Sequence, residues 1–250
     1  MYKNFKIGVV ITVYNEESFI EDVIMTIPSF VDIIYAIDDG STDGTPHIFS
    51  SLSKTNERLK IITHDQNNGV GAGKISGYWK SLEDDMGITV MMAGDGQTDP
   101  AYLDKIIDPV AEGLADYSKG ARLSSAENRQ EMPALRLIGN FLLTWLTRIA
   151  SGYWHISDPQ DGYTAISRET LKKLDLNGIH KRWPAENDIL VKLNVIGARV
   201  VDVPHPAVYH KDLRSKIRYP YFIISTSWLL LRSYFWRLWV KYLNRFPLKS

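Results

Sequence analysis

Two short acidic segments, each placed to close a β-strand, hold the side chains best suited to chemistry in this 250-residue chain. The first is Ile37-Asp38-Asp39-Gly40-Ser41-Thr42-Asp43-Gly44-Thr45. Two carboxylates ending a buried strand, followed by a glycine turn into a helix, form a polar notch in which Asp38 and Asp39 can accept hydrogen bonds from a base or ribose. Ser41 or Asp43 suits a helix cap, but one cap does not need three acids. The second segment is Ala93-Gly94-Asp95-Gly96-Gln97-Thr98-Asp99-Pro100. Asp95 in a glycine turn, with Gln97 two residues on, offers hard oxygen ligands for Mg²⁺ or Mn²⁺ bridging phosphates. Asp99 is placed to cap a helix begun by Pro100.

A third segment, Asn67-Asn68-Gly69-Val70-Gly71-Ala72-Gly73-Lys74, imitates a phosphate-binding P-loop. That motif needs glycine five residues before Gly73 and Ser or Thr after the lysine, where Asn68 and Ile75 stand. A glycine-rich helix entrance that lets a nucleotide or a neighbouring strand come close explains it better.

These segments need a scaffold, and the first hundred residues supply one. Ile7–Val13, Ile33–Ile37, Leu59–Thr63 and Ile88–Met92 read as strands, with helical patterns over Glu17–Ile27, Thr45–Leu52, Val70–Leu82 and Ala101–Leu114. This alternation predicts an α/β, mostly parallel sheet flanked by helices, whose ligands bind beyond the carboxyl ends of the strands. Further on come a possible strand (Tyr117–Arg122), a helix (Leu135–Ile149) and a polar stretch from Ser151 to Gly162. They are followed by a strand (Tyr163–Ile166), two helices (Arg168–Leu174, Glu186–Ile196), a strand (Arg199–Val203) and a long C-terminal helix.

The absence of cysteine excludes a disulfide scaffold, a thiolate zinc site and a cysteine nucleophile. Zero net charge hides an asymmetry. Of 29 basic and 29 acidic residues, nine basic and one acidic follow His210, which leaves 20 and 28 before it. The N-terminus lacks the pattern of a signal peptide, and the longest uncharged apolar run, Tyr219–Leu231, is too short for the ~30 Å hydrocarbon core. Within Phe222–Tyr242, Ile224, Trp228, Leu231, Phe235, Leu238 and Tyr242 recur at helical spacing opposite Arg237, Lys241 and Arg245. That pattern predicts a helix lying in a bilayer interface, the alternative being a core helix or an oligomer contact. We divide the chain into a catalytic domain, 1–215, and a C-terminal amphipathic appendage, 216–250.

Val13-Tyr14-Asn15-Glu16-Glu17, the Asp38–Thr45 and Asp95–Pro100 segments, and Asn67 with Gly69 and Gly71 occur in order. Lys119-Gly120-Ala121-Arg122, Arg136 with Gly139-Asn140, Asp158-Pro159-Gln160-Asp161-Gly162-Tyr163, Glu186-Asn187-Asp188 and Arg214-Ser215-Lys216 follow them. The ordered set resembles family-2 glycosyltransferases of the GT-A fold, most closely the dolichyl- or polyprenyl-phosphate sugar synthases. The resemblance implies a metal-dependent, inverting transfer from a nucleoside-diphosphate sugar to a polyprenyl phosphate. Tyr14, Glu16, Asp38, Asp39, Asn67 and Gly69 would line the nucleotide pocket, and Asp95 and Gln97 would meet Mg or Mn and the diphosphate. Ala93 stands where the family usually has an acid, which removes one contact.

An anionic acceptor needs little help from a base but needs cations to bring it to an anionic donor. Arg122, Arg136, Arg214 and Lys216 are the candidates, ordinary surface charge being the alternative for each. Glu186 and Asp188, on one helical turn, can serve a hydroxyl acceptor as base, or else orient the sugar or the arginines. The expected setting is the cytoplasmic face of a membrane, with a homo-oligomer or membrane-protein partner as a further option and no nucleic acid. The rivals are transfer to a glycan or glycolipid hydroxyl, a weakly active nucleotide-sugar binder, and a subunit whose tail recruits a membrane partner.

Overall fold

A computed structural model describes residues 1–122, 134–206 and 219–243, apart from the side chains of 134–138 and 219–221. Strands β1 (Ile7–Val13), β2 (Ile33–Asp38), β3 (Leu59–Thr63), β4 (Ile88–Ala93), β5 (Tyr117–Ala121), β6 (Thr164–Ser167) and β7 (Val200–Pro204) form one sheet in the order β3-β2-β1-β4-β6-β5-β7. Only β6 runs against its neighbours among these strands. The expected mostly parallel α/β sheet is the one found.

Alternation along the buried strands sorts side chains to two faces. Ile7, Val9, Ile11 and Val13 of β1 join α1 (Ile20–Met25), α2 (Thr45–Leu52) and α4 (Leu103–Ala111) in one apolar layer. Val10, Tyr35 and Met91 join α3 (Val70–Glu83), α6 (Arg168–Lys173) and α7 (Ala185–Val195) in the other. At Gly77 of α3 an added Cβ would run into the Val10 side chain, so glycine lets this helix lie directly on β1.

Two helices are shorter than their patterns predict. The first begins at Ile20 instead of Glu17 because the backbone N–H groups of Asn15, Glu16 and Glu17 are tied up in hydrogen bonds to the loop after β2. Pro100–Tyr102 forms a separate 3₁₀ turn capped by Asp99, and α4 starts only at Leu103 and ends at Ala111, before Gly113 turns left-handed (φ +70°).

Helices α5 (Ala134–Ser151) and α8 (Tyr219–Leu238) pack on each other and on α7. Gly139 faces Ile223 while Arg237 donates to the Ile149 carbonyl, so α5 and α8 run parallel. The aromatic row of the amphipathic α8 faces away from the domain, as a helix lying in a bilayer interface requires, and the basic side meets the protein. Arg237 is buried, and with Lys241 it bonds Asn194 at the end of α7; the apolar row Ile224, Trp228, Leu231, Phe235 and Tyr242 is exposed. On α5, Thr147 meets Asn187 of α7, and Phe141, Leu142, Trp145 and Ile149 are exposed. With α7 beneath both helices, the helical phases put the two apolar rows on the same outer side. The positive side chains thus fasten the helix to the domain, and the aromatic ones face out.

Candidate active site

The carboxyl edge of the sheet gathers the acidic segments. In register, Val13 lies beside Asp38 and Thr12 beside Ala93, so the ends of β2 and β4 flank that of β1. Their backbones are two strand spacings apart, about 10 Å. The loop after β1 is laced to the loop after β2: Asn15 N donates to Ser41 Oγ (3.0 Å), Glu16 N to Thr45 Oγ1 (3.1 Å), and Thr42 N to Asn15 Oδ1 (2.8 Å). Tyr14 and Glu16, both half-buried, thus belong to a loop held against the one after β2. The N-cap of α2 is Gly44, not the expected Ser41 or Asp43; Asp43 Oδ1 accepts from Thr45 N at 3.0 Å just ahead of the helix.

Asp39 is almost wholly buried, and both of its oxygens are in use. Oδ1 meets His64 Nδ1 (2.7 Å) and accepts from Asn68 N (3.0 Å); Oδ2 accepts from Gly69 N (2.7 Å). Asp38 is buried too and accepts from Ser41 N (2.9 Å). Asp39 therefore ties the entrance of α3, with Asn67 beside it, to the end of β2. The glycines of that entrance admit a neighbouring chain segment: added Cβ atoms at Gly69 and Gly71 would strike the Lys181 and His180 carbonyl oxygens.

Beyond β4, half-buried Asp95 turns the chain, its Oδ1 accepting from Gln97 N (3.0 Å), and Gly96 takes the left-handed conformation (φ +73°) that the turn requires. Among the described residues no three His, Asp or Glu side chains are grouped to hold a metal by themselves.

The basic residues of this edge come from β5 and from the turns after β5 and β7. Met91 and Lys119 both pair with Thr164, and Ala121 with Pro204, so Arg122, the Asp158–Tyr163 loop and His205 meet beyond those strands. Arg122 Nε lies 3.0 Å from Asp158 and 3.1 Å from Asp161. His205 Nε2 is 2.7 Å from Asp161, and Lys119 Nζ donates to the Asp161 carbonyl. Burial pushes the Asp161 carboxyl up, but Arg122, His205 and Lys119 outweigh it and hold the group well below the usual carboxylate range.

Glu186 and Asp188 take separate partners. Glu186 pairs with buried Lys74 at 2.5 Å, and its other oxygen is buried without a partner. Asp188 takes Lys192 (3.0 Å) and the His180 backbone N–H (2.9 Å), and lines a cavity of ≈ 370 Å³ with Arg232 and Trp236. Their charged partners are lysines; neither meets an arginine among the described residues. The Arg136 side chain and Arg214, Lys216 and His210 lie outside those residues. Sequence reasoning missed His64 and Lys74, whose partners are 25 and 112 residues away. One sign was available for Lys74: it shares the buried side of α3 with Gly73, Gly77 and Tyr78, where a lysine needs a counter-ion.

The family model "Glycosyl transferase family 2" matches residues 8–175. The chain is 30% identical over 216 residues to a UDP-N-acetylglucosamine–dolichyl-phosphate N-acetylglucosaminyltransferase of Methanococcus voltae, covering 81% of this chain and 86% of that one. It is 30% identical over 173 residues to a polyprenol monophosphomannose synthase of Mycolicibacterium smegmatis, covering 68% and 64%. Among solved structures, a glucosyl-3-phosphoglycerate synthase from Mycobacterium tuberculosis, in complex with Mn²⁺, UDP and phosphoglyceric acid, superposes with a TM-score of 0.67. It is 18% identical, over 94% of this chain and 78% of that one, so the likeness is one of fold. A mostly parallel sheet with its acids at the ends of β2 and β4, matched over this length, makes the chain a glycosyltransferase of family 2 with the GT-A fold.

Proposed function

We propose that this protein transfers a sugar, with inversion, from a nucleoside-diphosphate sugar to a polyprenyl phosphate at a membrane surface. One observation carries the reading: the loops after strands β2, β4 and β5 leave one edge of the sheet with Asp38-Asp39, Asp95 and Arg122, so donor-side acids and an acceptor-side cation lie along the same edge. The two relatives named above, by their names a dolichyl-phosphate N-acetylglucosaminyltransferase and a polyprenol monophosphomannose synthase, support the same acceptor class.

Tyr14, Glu16, Asp38, Asp39, Asn67 and Gly69 line the nucleotide end. Asp95 and Gln97 would hold Mg²⁺ or Mn²⁺; one carboxylate and one amide suit a cation held largely by substrate phosphates and water, which needs no all-protein cage. The cation, when bound, offsets the charge of the departing diphosphate. Arg122 receives the acceptor phosphate, joined by Arg136, Arg214 and Lys216. A phosphate monoester is already anionic near neutral pH, so the task of this end is to overcome repulsion between two anions. Glu186, held by Lys74, orients the sugar.

The test is transfer from UDP- and GDP-linked sugars to a short-chain polyprenyl phosphate with Mn²⁺ present. The expected product is a lipid-linked monosaccharide phosphodiester. Transfer to glycan or glycolipid hydroxyls with none to the lipid phosphate would replace this reading with its nearest rival.

No helix among the described residues is long and apolar enough to cross a bilayer. The outer side of α5 and α8, extended by Trp154 and Trp239, suits lying on one. Its row from Ile224 to Tyr242 is about 27 Å long, and no acid occurs in 132–157 or 213–250. The appendage, 216–250, thus acts with α5 as the contact surface. Replacing Trp228, Phe235 and Trp239 together by serine is expected to weaken binding to vesicles containing anionic phospholipid by roughly 30-fold. Unchanged vesicle binding, or a dimer that this variant splits, would show that something other than lipid covers the face.

A further inference from the structure

His205 is fully buried and makes a single described polar contact, from Nε2 to Asp161 Oδ2 at 2.7 Å; its Nδ1 has no partner. A donor is required opposite a carboxylate, so the ring carries its proton on Nε2. The chain makes room for this contact: an added Cβ at Gly120 would come within 2.6 Å of His205 Nε2 and 2.9 Å of Asp161 Oδ2. Tyr163 closes the other side, its ring perpendicular to the imidazole at 5.5 Å. The oxygen that His205 grips is also the one 3.1 Å from Arg122 Nε, while Asp161 Oδ1 is occupied by the Tyr163 N–H at 2.9 Å. A polar ring buried for one bond, on an atom shared with the guanidinium, has its effect through Arg122.

We propose that His205 is a positioning residue for anion capture: it satisfies the Asp161 carboxylate, so that Arg122 is aimed by that acid without being consumed by it. The proposal rests on the reading of Arg122 as receiver of the acceptor phosphate. A buried carboxylate needs several donors. With His205 and the Tyr163 N–H serving the Asp161 carboxylate, Arg122 can keep Asp158 and still be turned towards an incoming phosphate. Without His205, Oδ2 of Asp161 depends on Arg122 alone and draws it back from the acceptor.

The experiment compares the wild type with His205→Ala and with His205→Gln, whose amide retains a donor. Steady-state kinetics vary the sugar donor and a short-chain polyprenyl phosphate separately. His205→Ala is expected to raise the acceptor KM about tenfold, the loss of one bond to a charged group, with the donor KM and acceptor-free donor hydrolysis unchanged. His205→Gln should recover most of that loss. An unchanged acceptor KM in His205→Ala overturns the proposal, and so does a parallel rise of both KM values that glutamine does not relieve.

A second arm needs no substrate. The Arg122 Nε–H resonance in ¹H–¹⁵N spectra should move in His205→Ala and return in His205→Gln, and a resonance unmoved in His205→Ala overturns the positioning itself. A wild type that transfers nothing to polyprenyl phosphate would sink the acceptor reading instead, with the spectra still deciding the role of His205.

Discussion

Asp95→Ala is expected to lower sugar transfer by about a thousandfold, the upper end of what removing one charge-stabilising group costs. The ligand-free protein should melt within a few degrees of the wild type. The expectation separates chemistry from folding because Asp95 sits half-buried in the turn after β4, where its Oδ1 accepts from the Gln97 N–H, and belongs to neither apolar layer. Losing that bond costs about 1 kcal/mol. With Ala93 in place of a second acid, Asp95 is the sole carboxylate of its turn before Asp99, and Asp99 is spent on Ala101 N–H. No neighbour can substitute for it.

The deciding measurement is the melting temperature with donor, with and without Mn²⁺. A ligand bound only by the folded state raises the melting point, so the wild type should respond to the pair more than to either alone, and Asp95→Ala should lose that synergy. Asp95→Asn keeps the shape and removes the charge, and it should behave like the alanine variant. A Mn²⁺-dependent shift that survives in Asp95→Ala would take Asp95 out of the cation site.

The strands and the edge on which their acids gather were legible in the sequence, because β-branched runs of five to seven residues alternating with helical patterns admit few other readings. The fold alone makes them neighbours: β2 and β4 both run parallel beside β1, so acids 56 residues apart in Asp39 and Asp95 end on one edge. The partners of those acids were not legible. Nothing in the spacing of His64 links it to Asp39, or Lys74 to Glu186, since each pair is joined by packing of separate elements. The direction faced by α8 was equally hidden. A helical wheel separates Trp228 from Arg237 but does not say which side meets the protein, and the carbonyl of Ile149 and the side chain of Asn194 decided it by accepting from Arg237.

Arg122→Ala and Arg122→Lys should fail in different ways, and the difference tests what the guanidinium does. Alanine leaves Asp158 and Asp161, both fully buried, without their shared counter-ion; uncompensated buried charge of this kind costs about 3–5 kcal/mol, so this variant should be poorly folded. Folding holds the Asp161 carboxyl well below its ordinary value. Its stabilisation is therefore complete above the unfolded carboxylate range, about pH 4, and is lost as pH falls through the lower folded value. Removing the arginine raises that folded value, and acid unfolding of Arg122→Ala should set in at higher pH than in the wild type.

Arg122→Lys keeps the charge, and with it most of the stability, but loses the planar fork that can hold two carboxylates and a phosphate at once. Its kcat/KM for a polyprenyl phosphate should fall about a hundredfold, roughly 2.7 kcal/mol, while donor binding and acceptor-free hydrolysis stay close to wild type. Chemical denaturation, acid titration and initial rates on the two variants read these effects separately. An Arg122→Lys enzyme with unaltered acceptor kinetics would confine Arg122 to holding the Asp158–Tyr163 loop in place, and would pass the capture of the phosphate to the remaining cations.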